Sequence, residues 1–206
     1  MRTIWQSSVY SATIQRSRFI GWTSRLSDQN DLPALIAEAR RRWPAATHYT
    51  WAYRILPGSE RTSDDGEPHA TAGLPMLHII QKQDLVETLI IVTRYFGGTK
   101  LGRGGLSHAY QTVCQATLAN SWLAEMVPAY RIRATLDYAR YAEVEHRLRA
   151  LGLAITAQFG SQVELGLDCP QSLWPQVASF LGAQATLLHA PEQGWTMLWP
   201  PPAPDA

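Results

Sequence analysis

Residues 90–110 read IIVTRYFGGTKLGRGGLSHAY, and no other stretch limits the fold as strongly. The apolar run 89–92, rich in β-branched residues, predicts a buried strand that stops at Phe96. From Leu106 to Leu118 apolar residues recur at helical spacing. Between the two lie Gly97, Gly98, Gly102, Gly104 and Gly105, five of the chain's 14 glycines. Glycine costs about 0.5–1 kcal/mol relative to alanine in a regular element, so the cluster predicts a strand-to-helix loop that needs left-handed angles or close backbone approach.

Such a loop has a functional reading. Backbone N–H groups freed by glycine, next to a helix N-terminus, make a cradle for negative charge. Arg94, Lys100 and Arg103 stand in or beside it and complete a candidate site for phosphate, an acidic protein or RNA. The alternative is a tight corner whose cations are only solvated. The common phosphate loops do not match. GxxxxGK[ST] fails because Leu101 follows Lys100, and GxGxxG fails on the spacing of Gly102, Gly104 and Gly105.

A chain of 206 residues with 46% hydrophobic and 17% charged side chains can bury a core, as one large domain or two small ones. The formal net charge of +1 provides no global field for steering toward nucleic acid. Residues 1–130 hold 13 Lys/Arg against 10 Asp/Glu, and residues 131–206 hold 5 against 7, so any basic site is local to the first part. Cys114 and Cys169 form no metal-ligand pattern, and reduced thiols are the expectation. The opening MRTIWQSSVY lacks an apolar core and no apolar run approaches membrane-spanning length; a soluble, cytoplasmic protein is expected.

Before the loop, residues 10–26 alternate loosely and predict a hairpin with Arg16, Ser17 and Arg18 between its strands. A helix over 32–43 carries an apolar stripe of Leu32, Leu35, Ile36 and Ala39 and ends on Arg40, Arg41 and Arg42, either dipole-complementing or phosphate-binding. Residues 48–56 predict a strand with His48, Thr50, Ala52 and Arg54 on one face and Tyr49, Trp51, Tyr53 and Ile55 on the other. His48 is a candidate ligand or base, or a structural hydrogen-bonding residue. Residues 57–66 read as a polar loop, and a short helix is expected over 74–81.

The stretch SDDGEPHATAGLP, residues 63–75, crowds Asp64, Asp65 and Glu67 around Gly66. These acids suit acid–base chemistry, a hard cation or an Asp-Gly turn. A further reading joins the two unusual loops, with the acids pairing with Arg94, Lys100 or Arg103 and bracing the glycine loop. No GxSxG, HExxH or CxxC is present, and Ser17, Ser63, Thr71, Ser107 and Cys114 are nucleophile candidates by residue type alone.

Four spaced segments carry a resemblance: SRFIG (17–21), ATHYTWAYR (46–54), SDDGEPHATAGLP (63–75) and VTRYFGGTKLGRGGLSHAY (92–110). In this order they resemble the signature of the IMPACT/YigZ family, over residues 16–118 in detail. Ser107 and His108 stand where the family has an apolar residue and Arg, and Arg103 where a small residue is usual. The resemblance implies an α+β protein of two domains. The first is similar to domain four of elongation factor G, with a ribosomal-protein-like βαβ fold, and the second to its domain five. It implies a non-enzymatic, translation-linked role. Eukaryotic relatives restrain a starvation-responsive kinase by competing for its activator; bacterial relatives have no established biochemical activity.

Beyond residue 130 the pattern predicts a strand at 131–138, a helix at 141–151, a hairpin of strands at 153–159 and 163–167, a helix from Pro170 through Leu181, and a last strand at 184–189. That order, β-α-β-β-α-β, is the ferredoxin-like plan. Gln158, Gln162 and Glu164 predict a sheet without a basic face, and Phe159 is expected in the core. The expected division is 1–128, 129–192, and a Trp/Pro-rich tail at 193–206, mobile or polyproline-like, with Trp195 and Trp199 as candidate anchors to the body or to a partner.

The functional expectation is a non-enzymatic regulator, monomeric and without cofactor or metal, that binds RNA, ribosomal phosphate or a translation-associated protein. Arg94, Lys100 and Arg103 are its expected contacts, with Gly97, Gly98, Gly104 and Gly105 shaping the loop and Asp64, Asp65 and Glu67 bracing it. His48, Arg54, His69 and Thr71 make a possible polar site. The alternative is a metal-assisted hydrolase using Asp64, Asp65 and Glu67 with His48 or His69 as base.

Overall fold

The computed structural model describes residues 1–56 and 58–198, which divide into two compact α+β units at Leu123/Ala124 rather than at 128/129. Among the described residues no helix is long and apolar enough to cross a membrane.

The first unit is built on a five-stranded antiparallel sheet of order β2-β3-β6-β4-β5. Its strands are β2 (Val9–Ile14), β3 (Ser17–Arg25), β4 (His48–Ile55), β5 (Ser59–Ser63) and β6 (Thr88–Tyr95). Gln15 and Arg16, both at positive φ, close the β2–β3 hairpin. Register places Phe19, Arg94 and His48 in one row across β3, β6 and β4, all pointing to the same face. On that face Phe19, Ala52, Ile90 and Val92 meet α2 (Gly73–Lys82) and α3 (Gly102–Ala119). On the other face Trp22, Tyr49, Tyr53, Leu89 and Ile91 pack under α1 (Leu32–Arg42). Because β6 is covered on both sides it reads as a continuous apolar run, as a central strand should.

Two strands depart from expectation. β1 (Arg2–Gln6) is an added strand whose Arg2 exchanges backbone hydrogen bonds with Asp84 and Val86. The polar stretch expected as a loop at 57–66 contains β5, the sheet's edge, where exposed polar side chains fit the half-solvated position; Pro57 lies outside the described residues. The helix after the glycine loop also begins earlier, so Gly102, Gly104 and Gly105 form its first turn rather than the loop.

The second unit follows the β-α-β-β-α-β order with β7 (Trp122–Leu136), α4 (Tyr138–Ala150), β8 (Ile155–Phe159), β9 (Val163–Pro170), α5 (Trp174–Gln184) and β10 (Thr186–Leu187). β7 pairs with β9 and β10, and β9 with β8, all antiparallel. Ile132, Leu136, Leu165 and Leu167 point toward Val144 and Leu148 of α4 and Val177 and Leu181 of α5.

Several expectations fail here. Pro170 ends β9 instead of opening a helix, Gln184 belongs to α5, and the expected last strand shrinks to two residues. The tail expected from 193 is a strand up to Met197: β11 (Glu192–Met197) pairs with β7, with Trp195 opposite Pro128, while Trp199 lies outside the described residues. Phe159 is 60% exposed, its ring against Tyr138 and Tyr141 rather than in the core. Arg131 and Arg133 are exposed on β7, so the sheet does carry basic groups, Arg131 in a pair with Asp168 at 3.0 Å.

Candidate functional site

Strand register delivers Arg94 to the end of the helix-covered face, where it would be an isolated buried cation without a counter-charge. The loop at 64–72 supplies one. Asp65 and Gly66 take positive φ, the Glu67 amide donates to the Asp64 carbonyl at 2.9 Å, and the turn directs Glu67 inward. Glu67 Oε1 accepts from Arg94 Nη1 at 2.6 Å and from the Tyr110 hydroxyl at 2.7 Å. Arg94 Nη2 donates to Ser17 Oγ at 3.1 Å, an atom that also receives the Gly97 amide at 3.3 Å. The guanidinium lies over the rings of Phe19 and Phe96, 5.3 and 5.4 Å from their centroids. Burial, then the adjacent Glu67 carboxylate, push the Tyr110 phenol far above its usual range, so it serves as a neutral donor.

This cluster ties four pieces of chain together: the start of β3, the end of β6, the 64–72 loop and α3 through Tyr110. It also reassigns Arg94. With its guanidinium buried and bonded to Glu67 and Ser17, Arg94 is a scaffold cation and not an anion contact.

The other two acids face elsewhere. Asp64 accepts from the amides of Ala70, Ala72 and Gly73 at 2.8, 3.0 and 2.9 Å, capping the start of α2. Asp65 accepts from the Tyr49 amide at 2.6 Å, and Arg40 of α1 reaches it at 3.8 Å. Neither braces the glycine loop, because the amides nearest to them were unsatisfied helix and strand ends. Of the three acids expected to grip Arg94, Lys100 or Arg103, Glu67 is the one that pairs with any of them, through Arg94.

His48 donates from Nδ1 to the Asp65 carbonyl at 2.7 Å, and its Nε2 lies 3.9 Å from Glu67 Oε1. Thr71 Oγ1 is spent on the Pro68 carbonyl at 2.6 Å. Arg54 does not join them; it sits toward the opposite end of β4, paired with Glu60 at 3.0 Å and Asp84 at 3.6 Å. His69 is 95% exposed, 4.0 Å from Asp64. Among the described residues no three His, Cys, Asp or Glu side chains are grouped to hold a metal ion.

The exposed part of the site is the glycine loop and the first turn of α3. A Cβ on Gly97 would stand 1.9 Å from the Arg16 carbonyl oxygen, so this glycine permits the loop to touch the β2–β3 turn. Gly98 takes φ +83° in open space. Gly102, Arg103, Gly104 and Gly105 are exposed, and no side chain caps the helix start. Lys100 is exposed, and Arg103 donates to the His69 carbonyl at 2.8 Å, which holds it across the mouth of the acidic loop. Sequence reasoning missed Tyr110 and Phe96, and took Ser17 only as a possible nucleophile. For Ser17 and Tyr110 the signal was position, since Ser17 opens the segment 17–21 and Tyr110 closes the segment 92–110 that contains the loop.

The first of the two α+β units presents a loop with exposed Lys100 and Arg103 at an uncapped helix start. The Impact N-terminal domain model matches residues 15–118. The IMPACT family member YvyE of Bacillus subtilis is 35% identical over 149 residues, which is 71% of this chain and 69% of that one. YigZ of Escherichia coli, another IMPACT family member, is 37% identical over 172 residues, 81% and 83% of the two chains. A crystal structure of a hypothetical protein superposes with a TM-score of 0.67 at 25% identity, covering 92% of this chain and 96% of that one. The chain belongs to the IMPACT family.

Proposed function

We propose that this chain is a non-enzymatic, translation-associated regulator of the cytoplasm that holds RNA phosphate, on the ribosome or free, at the first turn of α3. Family membership supports the translation link, since the family resemblance implies a role of that kind. The observation that carries the phosphate reading is the pairing of an open helix N-terminus with two flanking cations. The α3 start has exposed amides and no side-chain cap, and Lys100 and Arg103 stand beside it while the nearby acids Asp64 and Glu67 are engaged inward. The hydrolase alternative is disfavoured by the same geometry, because Asp64, Asp65 and Glu67 point to three different sets of donors.

Phosphate contacts make affinity fall with salt, by about 0.7 in log–log slope for each single-strand phosphate neutralised. Binding of the full chain to ribosomal RNA fragments should therefore weaken steeply between about 50 and 200 mM salt. Lys100→Ala with Arg103→Ala should lower the slope by about 1.4. A flat salt response in wild-type protein, or an unchanged slope in the double variant, would remove the proposal.

A further inference from the structure

Phe96 is 47% exposed at the tip of β6, between the buried cluster and the glycine loop. The ring is not loose. Arg94, itself locked by Glu67, sits over it at 5.4 Å, and the Phe96 amide donates to Thr47 Oγ1 at 3.0 Å. Cations lie close to it along the chain and at the adjoining turn. Arg16 is at the turn that touches Gly97, and Lys100 and Arg103 follow Phe96 in the chain, while Arg18, opposite Tyr95, falls by strand alternation on the other face of the sheet. All four are exposed, and among the described residues none is in an ion pair. Arg18 makes one long contact, to Ser11 Oγ at 3.4 Å, and Arg103 binds a neutral carbonyl.

We infer that Phe96 is a stacking platform for an unpaired base, and hence that the ligand of this face is single-stranded RNA rather than duplex. The inference rests on the phosphate reading of the α3 start and specifies its ligand. A rigid aromatic ring set among uncompensated cations is the arrangement by which proteins bind single strands without sequence preference, the ring taking a base and the cations its flanking phosphates. A duplex offers phosphates but keeps its base faces covered, so it uses the cations and not the ring.

The test uses the full chain with two fluorescent RNAs of one sequence, a single strand of about a dozen nucleotides and its blunt duplex. Phe96→Ala should weaken the single strand about tenfold and leave the duplex unchanged. Phe96→Trp, which keeps a stacking face, should retain wild-type affinity for both. With 5-iodouridine in the single strand, photocrosslinking of wild-type protein should attach RNA at Phe96. Equal loss for both RNAs, or no loss, in a Phe96→Ala protein that unfolds like wild type overturns the inference and leaves the phosphate reading intact. If Phe96→Ala does not fold, the crosslink decides, and attachment away from residues 94–98 overturns it. Wild-type protein that binds neither RNA overturns both readings.

Discussion

Arg94 Nη1 stands 2.6 Å from Glu67 Oε1, with the two side chains 4% and 3% exposed, so the strand that ends in the glycine loop is clamped to the acidic loop by a buried ion pair. Removing one partner of such a pair leaves an uncompensated charge, at a cost of about 3–5 kcal/mol, whereas replacing both by apolar groups of similar size is often near neutral. Glu67→Gln and Arg94→Met should each lower stability by that order in urea unfolding. The double variant Glu67→Leu with Arg94→Met should lose far less than the sum. Additive losses would show that the two side chains do not act as a unit.

Tyr110 and the two cysteines set the alkaline limit. Burial, reinforced by Glu67, raises the Tyr110 phenol, and burial pushes the Cys169 thiol up to about 11 and raises Cys114 as well. Folded pKa values above the unfolded ones mean the native state keeps protons that the unfolded chain releases. Stability is then full below the unfolded thiol pKa and falls as pH rises from there through 11 and beyond. Tyr110→Phe should cost about 1.5–3 kcal/mol at neutral pH, through loss of a hydrogen bond to a charged acceptor, and should flatten the decline above about pH 10. Denaturant midpoints across that pH range check both, and a decline on acidification toward neutrality instead would contradict the assignment.

Gly97 and Gly98 do different jobs. Alanine at 97 would put its Cβ 1.9 Å from the Arg16 carbonyl oxygen, so the loop or the hairpin turn must move. Alanine at 98 meets nothing and suffers only from φ +83°. Gly98→Ala should cost about 1 kcal/mol and Gly98→Asn less. Gly97→Ala should cost at least about 2 kcal/mol and alter the backbone resonances of Arg16 and Ser17. Equal costs at the two positions would contradict this division.

Asp64 acts as a cap for α2. Asp64→Ala strips the acceptor from the Ala70, Ala72 and Gly73 amides and should destabilise by about 2 kcal/mol or more, with faster hydrogen exchange at Ala72 and Gly73. His69→Ala, on the exposed rim of the same loop, should stay within about 0.5 kcal/mol of wild type. A neutral Asp64→Ala would return that carboxylate to the list of groups free for chemistry.

The local sequence already determined a good deal. Period-two alternation separated the faces of β4 correctly, because a pleated strand exposes alternate residues to different layers. The unbroken apolar run of β6 marked a central strand, and strand and helix periods beyond residue 130 laid out β-α-β-β-α-β. Family membership was legible from four short segments. The element ends were less so. β5 has a polar edge-strand sequence whose identity comes from pairing with β4, and β11 looks like a tail until β7 is there to receive it.

The chemistry of the site depended on tertiary structure. An arginine beside a glycine loop has the composition of an anion contact, and nothing within a few residues of Arg94 says otherwise. Its fate was decided by register with Phe19 and His48, and by a turn that sends Glu67 inward to meet it. Asp64 and Asp65 stand in the same cluster as Glu67 along the chain, yet each went to the nearest unsatisfied amides. Periodicity is a property of neighbouring residues and survives in the sequence, whereas the partner of a charge is set by which distant segments desolvate it together.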